Sequence, residues 1–148
     1  MSNRKKRILF VCSGNSCRSP VAEGFAKKIA LQNGFDMEFY SAGTLGIEGI
    51  LASPEAIFVS EEKGVDISKH KSMALSADLI ARADIIFGME YAHLERVKQY
   101  DVRGKNVLLL GLEEIDDPIG KGLEFYRCIR DEIVISLERA LSLIKNED

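Results

Sequence analysis

The sequence is poor in the residues that build several common kinds of site. It has two histidines, three cysteines, three prolines and no tryptophan in 148 residues. His70 and His93 stand apart without metal-site spacing, and Cys12 and Cys17 have no second cysteine pair, so no zinc site and no other metal or cofactor is expected. An odd number of irregularly spaced cysteines is no disulfide framework. No apolar run approaches the roughly 18 residues of a membrane span. The run "ILFV" (8–11) is too short for the core of a signal peptide. The expectation is a cytoplasmic protein with no membrane contact. The net charge of -3 does not favour nucleic acid as a partner. The basic cluster Arg4-Lys5-Lys6-Arg7 is a short exception, and residues 1–6 read as a solvated, loosely ordered N-terminus.

What remains is an ordinary globular composition, 46% hydrophobic and 29% charged, and residues 1–148 are expected to form a single domain. Apolar runs alternate with helical patterns. "RILFVC", "MEFYSAG", "ADIIFGM" and "KNVLLLG" read as four strands. "PVAEGFAKKIALQNG" reads as a helix ended by Gly34. Ser53-Pro54-Glu55 opens a second helix, with serine as cap and proline in its first turn, running to about Lys63. A short helix precedes the third strand, and "EYAHLERVKQY" follows it. In the last, long helix Tyr126, Ile129, Ile133, Leu137, Leu141 and Ile144 recur at three and four residues, one stripe facing the core. Strand and helix in alternation predict an α/β sandwich with a parallel sheet. Such folds bind ligands beyond the carboxyl ends of their strands.

"VCSGNSCRSP" (11–20) occupies that place after the first strand. A loop entering a helix offers unpaired amides and the positive end of the helix dipole, which together bind anions. Ser13, Gly14, Asn15 and Ser16 are small enough for those amides to converge, and asparagine tolerates the left-handed backbone this requires. Arg18 adds a planar fork for two phosphate oxygens. The Gly-Lys-Ser/Thr ending of a nucleotide P-loop is absent, and one glycine is no dinucleotide fingerprint. The distinctive feature is Cys12 at the base. Amides, arginine and dipole are all expected to stabilise a thiolate there, below the ordinary range of a free thiol. A thiolate at the bottom of a phosphate cup is placed for in-line attack on phosphorus.

Cys12, five residues, Arg18, Ser19 and Pro20 resemble the signature of the low-molecular-weight protein tyrosine phosphatases. The resemblance extends through "SAGT" (41–44), "GVDISKHKS" (64–72), "ADIIFGM" and an Asp-Pro near the C-terminus. It implies a three-layer sandwich with a four-stranded parallel sheet of flavodoxin-like topology. It also implies a protein phosphatase acting through a phosphocysteine, with a phosphorylated protein as partner and inorganic phosphate as product. Cys12 would be the nucleophile. Arg18 and the amides of Ser13, Gly14, Asn15, Ser16 and Cys17 would hold the phosphoryl oxygens. Ser19 would donate to the sulfur, and Asn15 would shape the loop with Ser41 and His70. Asp117, directly before Pro118, would be the general acid. Asp116 reads as a solvated carboxylate. No metal is needed where amides and Arg18 supply the charge. Cys17 reads either as a disulfide partner for Cys12 under oxidation or as a small packing residue. Cys128 reads as buried and inert.

Two positions depart from the tyrosine-directed pattern. Those members usually carry a bulky aliphatic residue where Ser16 stands and an aromatic residue after the Asp-Pro, where this chain has Ile119. A bacterial branch of protein arginine phosphatases has threonine at the Ser16 position and glycines after the Asp-Pro, as Gly120 and Gly122 are here. It too carries an aromatic residue that is absent here. The wall loop "GTLGIEGIL" is apolar without tryptophan or tyrosine. Phosphotyrosine is thus the family default and phosphoarginine the alternative. An arsenate reductase on the same scaffold would need a downstream thiol pair, and only Cys128 lies downstream. A non-catalytic anion-binding regulator would predict loss of Cys12, Arg18 or Asp117, and all three are present.

Overall fold

In a computed structural model, which describes residues 5–146, four parallel strands lie between two layers of helices. The strands are β1 (Lys6–Cys12), β2 (Met37–Gly43), β3 (Ile85–Gly88) and β4 (Asn106–Leu109). The helices are α1 (Arg18–Asn33), α2 (Pro54–Glu61), α3 (Ala77–Arg82), α4 (Tyr91–Val97) and α5 (Leu123–Asn146). The sheet order is β2-β1-β3-β4, every pairing parallel. The first strand therefore sits between the second and third, and the winding reverses at its carboxyl end. That is the crevice such sheets offer to ligands.

Side-chain alternation along β1 builds both cores. Ile8, Phe10 and Cys12 point into one, with α1, α2 and α5; Leu9 and Val11 point into the other, with α3 and α4. Burial on both faces is why this strand is almost wholly apolar. Phe10 stacks on Phe39 at 6.1 Å and on Phe87 at 5.9 Å, a row of rings across three strands. All six positions of the α5 stripe are buried.

Element boundaries follow local chemistry. Gly34 ends α1 at φ 68°, donating to the Ala30 carbonyl. The Ser53 hydroxyl caps α2 by accepting from the Ala56 N–H. α2 stops at Glu61, before the expected Lys63, because the chain already turns towards Gly64 at φ 78°. α4 ends at Val97, short of Tyr100, in a turn closed by the Tyr100 N–H on the Val97 carbonyl. The expected loose tail also needs correction. Residues 1–4 lie outside the described residues, but Lys6 already pairs with Met37 in the sheet, and the Lys5 ammonium lies 3.7 Å from Asp36.

Leu137 is fully buried at the centre of the α5 stripe. Leu137→Ala is expected to lower unfolding stability by about 2–5 kcal/mol in urea denaturation, with the folded circular dichroism spectrum unchanged.

Candidate active site

The segment Ser13–Cys17 joins β1 to α1, and its carbonyls are all but one tied to groups outside it. The Cys12 carbonyl accepts from the Thr44 N–H at 2.9 Å, Ser13 from Leu45 at 3.0 Å, Ser16 from Ser53 at 2.9 Å and Cys17 from Val21 at 3.1 Å. The Asn15 carbonyl meets His70 Nε2 at 2.9 Å. In a planar trans peptide the next N–H points the opposite way. Five outward carbonyls therefore turn the N–H groups of Ser13, Gly14, Ser16, Cys17 and Arg18 inward, as a nest for an anion. Close approach makes this possible: a Cβ on Gly43 would lie 2.6 Å from the Ser13 carbonyl oxygen.

Asn15 is fully buried at φ 55°. Its Oδ1 accepts from the Met73 N–H at 2.8 Å, which identifies the other atom as the amide nitrogen. That Nδ2 donates to Ser19 Oγ at 2.7 Å and to Ser41 Oγ at 3.0 Å. Ser41 in turn donates to Glu23 Oε1 at 2.6 Å. Ser19, having accepted from Asn15, is left to donate to Cys12 Sγ at 2.9 Å. The expected group of Asn15, Ser19, Ser41 and His70 is thus brought together.

Cys12 itself is buried at the end of β1. Burial pushes its thiol up; the Ser19 hydroxyl and N–H, the Arg18 charge and the Asn15 N–H pull it down, and burial prevails. This reverses the expected direction. The reason is the burial of the sulfur, which outweighs the pull of Arg18. The charge of Arg18 is also shared. Its Nη1 bonds Glu90 Oε2 and, at 2.7 Å, the Ile115 carbonyl, while its Nη2 stands 3.6 Å from Asp117 Oδ2. A cation divided between two carboxylates does less for a thiolate than a free one.

Asp117 is partly exposed, and its Oδ1 accepts from the Ile119 N–H at 3.1 Å. Ile115 anchors this segment from below. It is fully buried, its N–H donates to the Met89 carbonyl at 2.8 Å, and its carbonyl holds Arg18. Asp116 is exposed, as expected. Ser16 is half-buried at the loop, and Ile119 is exposed. The wall loop is zipped to residues 70–74 by the bridges Leu51–Lys71 and Gly43–Ala74, and leaves Leu45, Ile47, Ile50 and Leu51 exposed.

The other cysteines differ from each other. Cys17 is buried, with its sulfur 3.3 Å from Ser53 Oγ and 3.5 Å from the Tyr126 hydroxyl, and Tyr126 is pushed up to about 12, chiefly by burial. Cys128, expected to be buried, is exposed. It lies off the apolar stripe of α5, whose spacing omits residue 128.

Sequence reasoning missed Glu90 and His93. Glu90 is the N-cap of α4 and His93 lies in its first turn, immediately beyond the carboxyl end of β3. The signal was available: the rule that sites gather at strand carboxyl ends applies to β3 as well as to its neighbour β1. His93 is buried, and Glu90 N–H donates to its Nδ1 at 3.0 Å. Among the described residues no group of three or more His, Cys, Asp or Glu side chains could hold a metal ion.

A doubly wound α/β domain with a cysteine and an arginine in an amide nest at its switch point, and an aspartate across the cup, defines a cysteine-based phosphatase. The family model for low molecular weight phosphotyrosine protein phosphatases matches residues 7–148, and the chain belongs to that family. It is 36% identical over 137 residues to an arsenate reductase of Staphylococcus aureus, covering 90% of this chain and 95% of that one. It is 29% identical over 147 residues to a protein-arginine-phosphatase of Bacillus subtilis, covering 95% and 97%. Its structure matches a low molecular weight protein tyrosine phosphatase from T. tengcongensis with a TM-score of 0.88 and 35% identity, covering 93% and 99%.

Ser19 lowers the Cys12 thiol, so removing its hydroxyl should raise it further. Ser19→Ala is expected to slow iodoacetamide alkylation of the Cys12 peptide at neutral pH, followed by mass spectrometry, and to recover the rate as pH is raised. An unchanged pH profile would show that the hydroxyl does not donate to the sulfur.

Proposed function

We propose that the chain is a single phosphatase domain that hydrolyses a phosphorylated protein side chain, phosphotyrosine by family default, through a phosphocysteine. The observation that carries this reading is the ring of outward carbonyls. It turns the loop amides onto a cup with Cys12 at its base and Arg18 reaching towards Asp117.

An incoming phosphoryl dianion takes up the Cys12 proton, which leaves a thiolate facing a monoanion. Beside the phosphoryl anion Asp117 takes up a proton from solvent. The sulfur attacks phosphorus as the bond to the leaving group breaks, and Asp117 gives that proton to the departing atom. The amides and Arg18 hold the equatorial oxygens, where charge gathers. Asp117, now a carboxylate, takes a proton from water as its oxygen attacks phosphorus. The P–S bond breaks, Ser19 donates to the leaving sulfur, and inorganic phosphate departs. Arg18 serves both partners: the phosphoryl group draws its fork into the cup and loosens its hold on Asp117.

A second reading is phosphoarginine. It is favoured by Ser16, a small hydroxyl where a bulky aliphatic residue would pack a phenyl ring, and by Ile119 in place of an aromatic wall. The relative named a protein-arginine-phosphatase supports it by similarity over almost the full chain. Arsenate reduction is less favoured although relatives carry that name, because two electrons must be drawn from thiols that end as a disulfide, and Cys128 is the one cysteine beyond residue 17.

Wild type should hydrolyse one or both of a phosphotyrosine and a phosphoarginine peptide without added metal. Cys12→Ser should reduce release of phosphate to background. Hydrolysis of neither peptide by wild type would overturn the reading. Asp117→Asn should lower kcat by roughly 10²–10⁴-fold, more for a phenoxide of high pKa than for an activated leaving group. Ser16→Ile should shift the ratio of the two activities towards phosphotyrosine; an unchanged ratio would remove Ser16 as the selector.

A further inference from the structure

The first turn of α4 grips the phosphate loop from the side opposite Asn15. Glu90 and His93, three residues apart, share one face of the helix. Glu90 takes Arg18, and His93 takes Ser13: its Nε2 lies 3.0 Å from Ser13 Oγ. The tautomer is fixed by the other ring nitrogen. Nδ1 accepts the Glu90 N–H, so the proton of the neutral ring is on Nε2 and is donated to Ser13. Ser13 Oγ also lies 3.5 Å from Arg18 Nη2. The hydroxyl thus stands between the imidazole and the arginine fork, accepting from both. The turn has little freedom to shift, because a Cβ on Gly88 would lie 2.7 Å from Leu94 Cδ2 and 3.1 Å from His93 Cβ.

We infer that His93 is a positioning residue for the phosphate loop, acting through the Ser13 hydroxyl and only as the neutral imidazole. The inference rests on the phosphatase reading and assigns a further part of the same site. A proton added at Nδ1 would face the Glu90 N–H, donor against donor, and release the first turn of α4. The charged groups around the ring are Arg18, Glu90, Asp117 and Glu114. Burial, then the Arg18 charge, disfavour the imidazolium; the three carboxylates favour it; the balance holds His93 below its ordinary range. The neutral form is therefore kept through neutral pH, and its loss falls on the acid side.

The test compares His93→Leu, His93→Gln and Ser13→Ala for kcat/KM on p-nitrophenyl phosphate and for affinity towards inorganic phosphate by calorimetry. Glutamine at the third helical position accepts the cap N–H through its carbonyl, keeps an amide donor for Ser13, and does not titrate. His93→Leu and Ser13→Ala should each lose roughly tenfold in both measurements, the cost of about one hydrogen bond. His93→Gln should stay within about threefold of wild type near neutral pH, and its ratio to wild type should rise as pH falls towards about 5. His93→Leu should cost nothing further in the Ser13→Ala background. Wild-type kinetics in His93→Leu, additive losses in the double variant, or a flat His93→Gln ratio would each overturn the inference. Should His93→Leu fail to fold, Ser13→Ala and His93→Gln decide by the same criteria. Should wild type hydrolyse no phosphate ester, the phosphatase reading fails, and phosphate affinity alone judges His93.

Discussion

Everything in this site depends on holding one non-glycine residue at positive φ in the dry interior. Asn15 does so by committing both amide protons, its side-chain carbonyl and its backbone carbonyl to four different partners. A left-handed residue costs of order 1 kcal/mol, and burying an amide without partners costs more. Full satisfaction offsets both. It also transmits direction. Because Met73 fixes which end of the amide is oxygen, the proton of Ser19 has one useful place to go, the sulfur of Cys12. The geometry of the nucleophile is therefore set from β2 and from the segment before α3, not from the loop alone.

Arg18 is the second shared element. It is nearly fully buried, and its fork is divided among Glu90, Ile115, Ser13 and Asp117. A buried guanidinium needs such partners to avoid a large desolvation cost. The partners also restrain it. On the proposed mechanism, the carboxylates that satisfy the arginine compete with the phosphoryl group for its fork.

Much of this was legible in the sequence. The four strands and the α5 stripe follow from periodicity, and β2 falls on "MEFYSAG" residue for residue. Cys12, Arg18, Ser19 and Asp117 were singled out because the chemistry of a phosphate cup demands those types at that spacing, and the fold brings them together. Glu90 and His93 carried only the general signal of lying beyond the carboxyl end of β3, and nothing local marks a glutamate and a histidine there as reaching towards β1. Their role appears only when β3 is set beside β1. Cys128 was misjudged for a different reason. Cysteine is usually buried, and that tendency was weighed above the helical phase, which puts residue 128 outside the stripe. The direction of the Cys12 shift could not be read from the motif, since it turns on how deeply the fold buries the sulfur.

Chain order governs when such a site can exist. Cys12 is made early, but the restraints on its loop arrive from Ser41, His70, Met73, Glu90, His93 and Ile115, and Asp117 later still. α5, which packs on α1 and α2, comes last. During synthesis β1 waits for β3, its neighbour across the switch point, through more than half of the chain. A nascent chain therefore carries an unshielded thiol, and the cup is complete only once residues 123–146 have been made and packed.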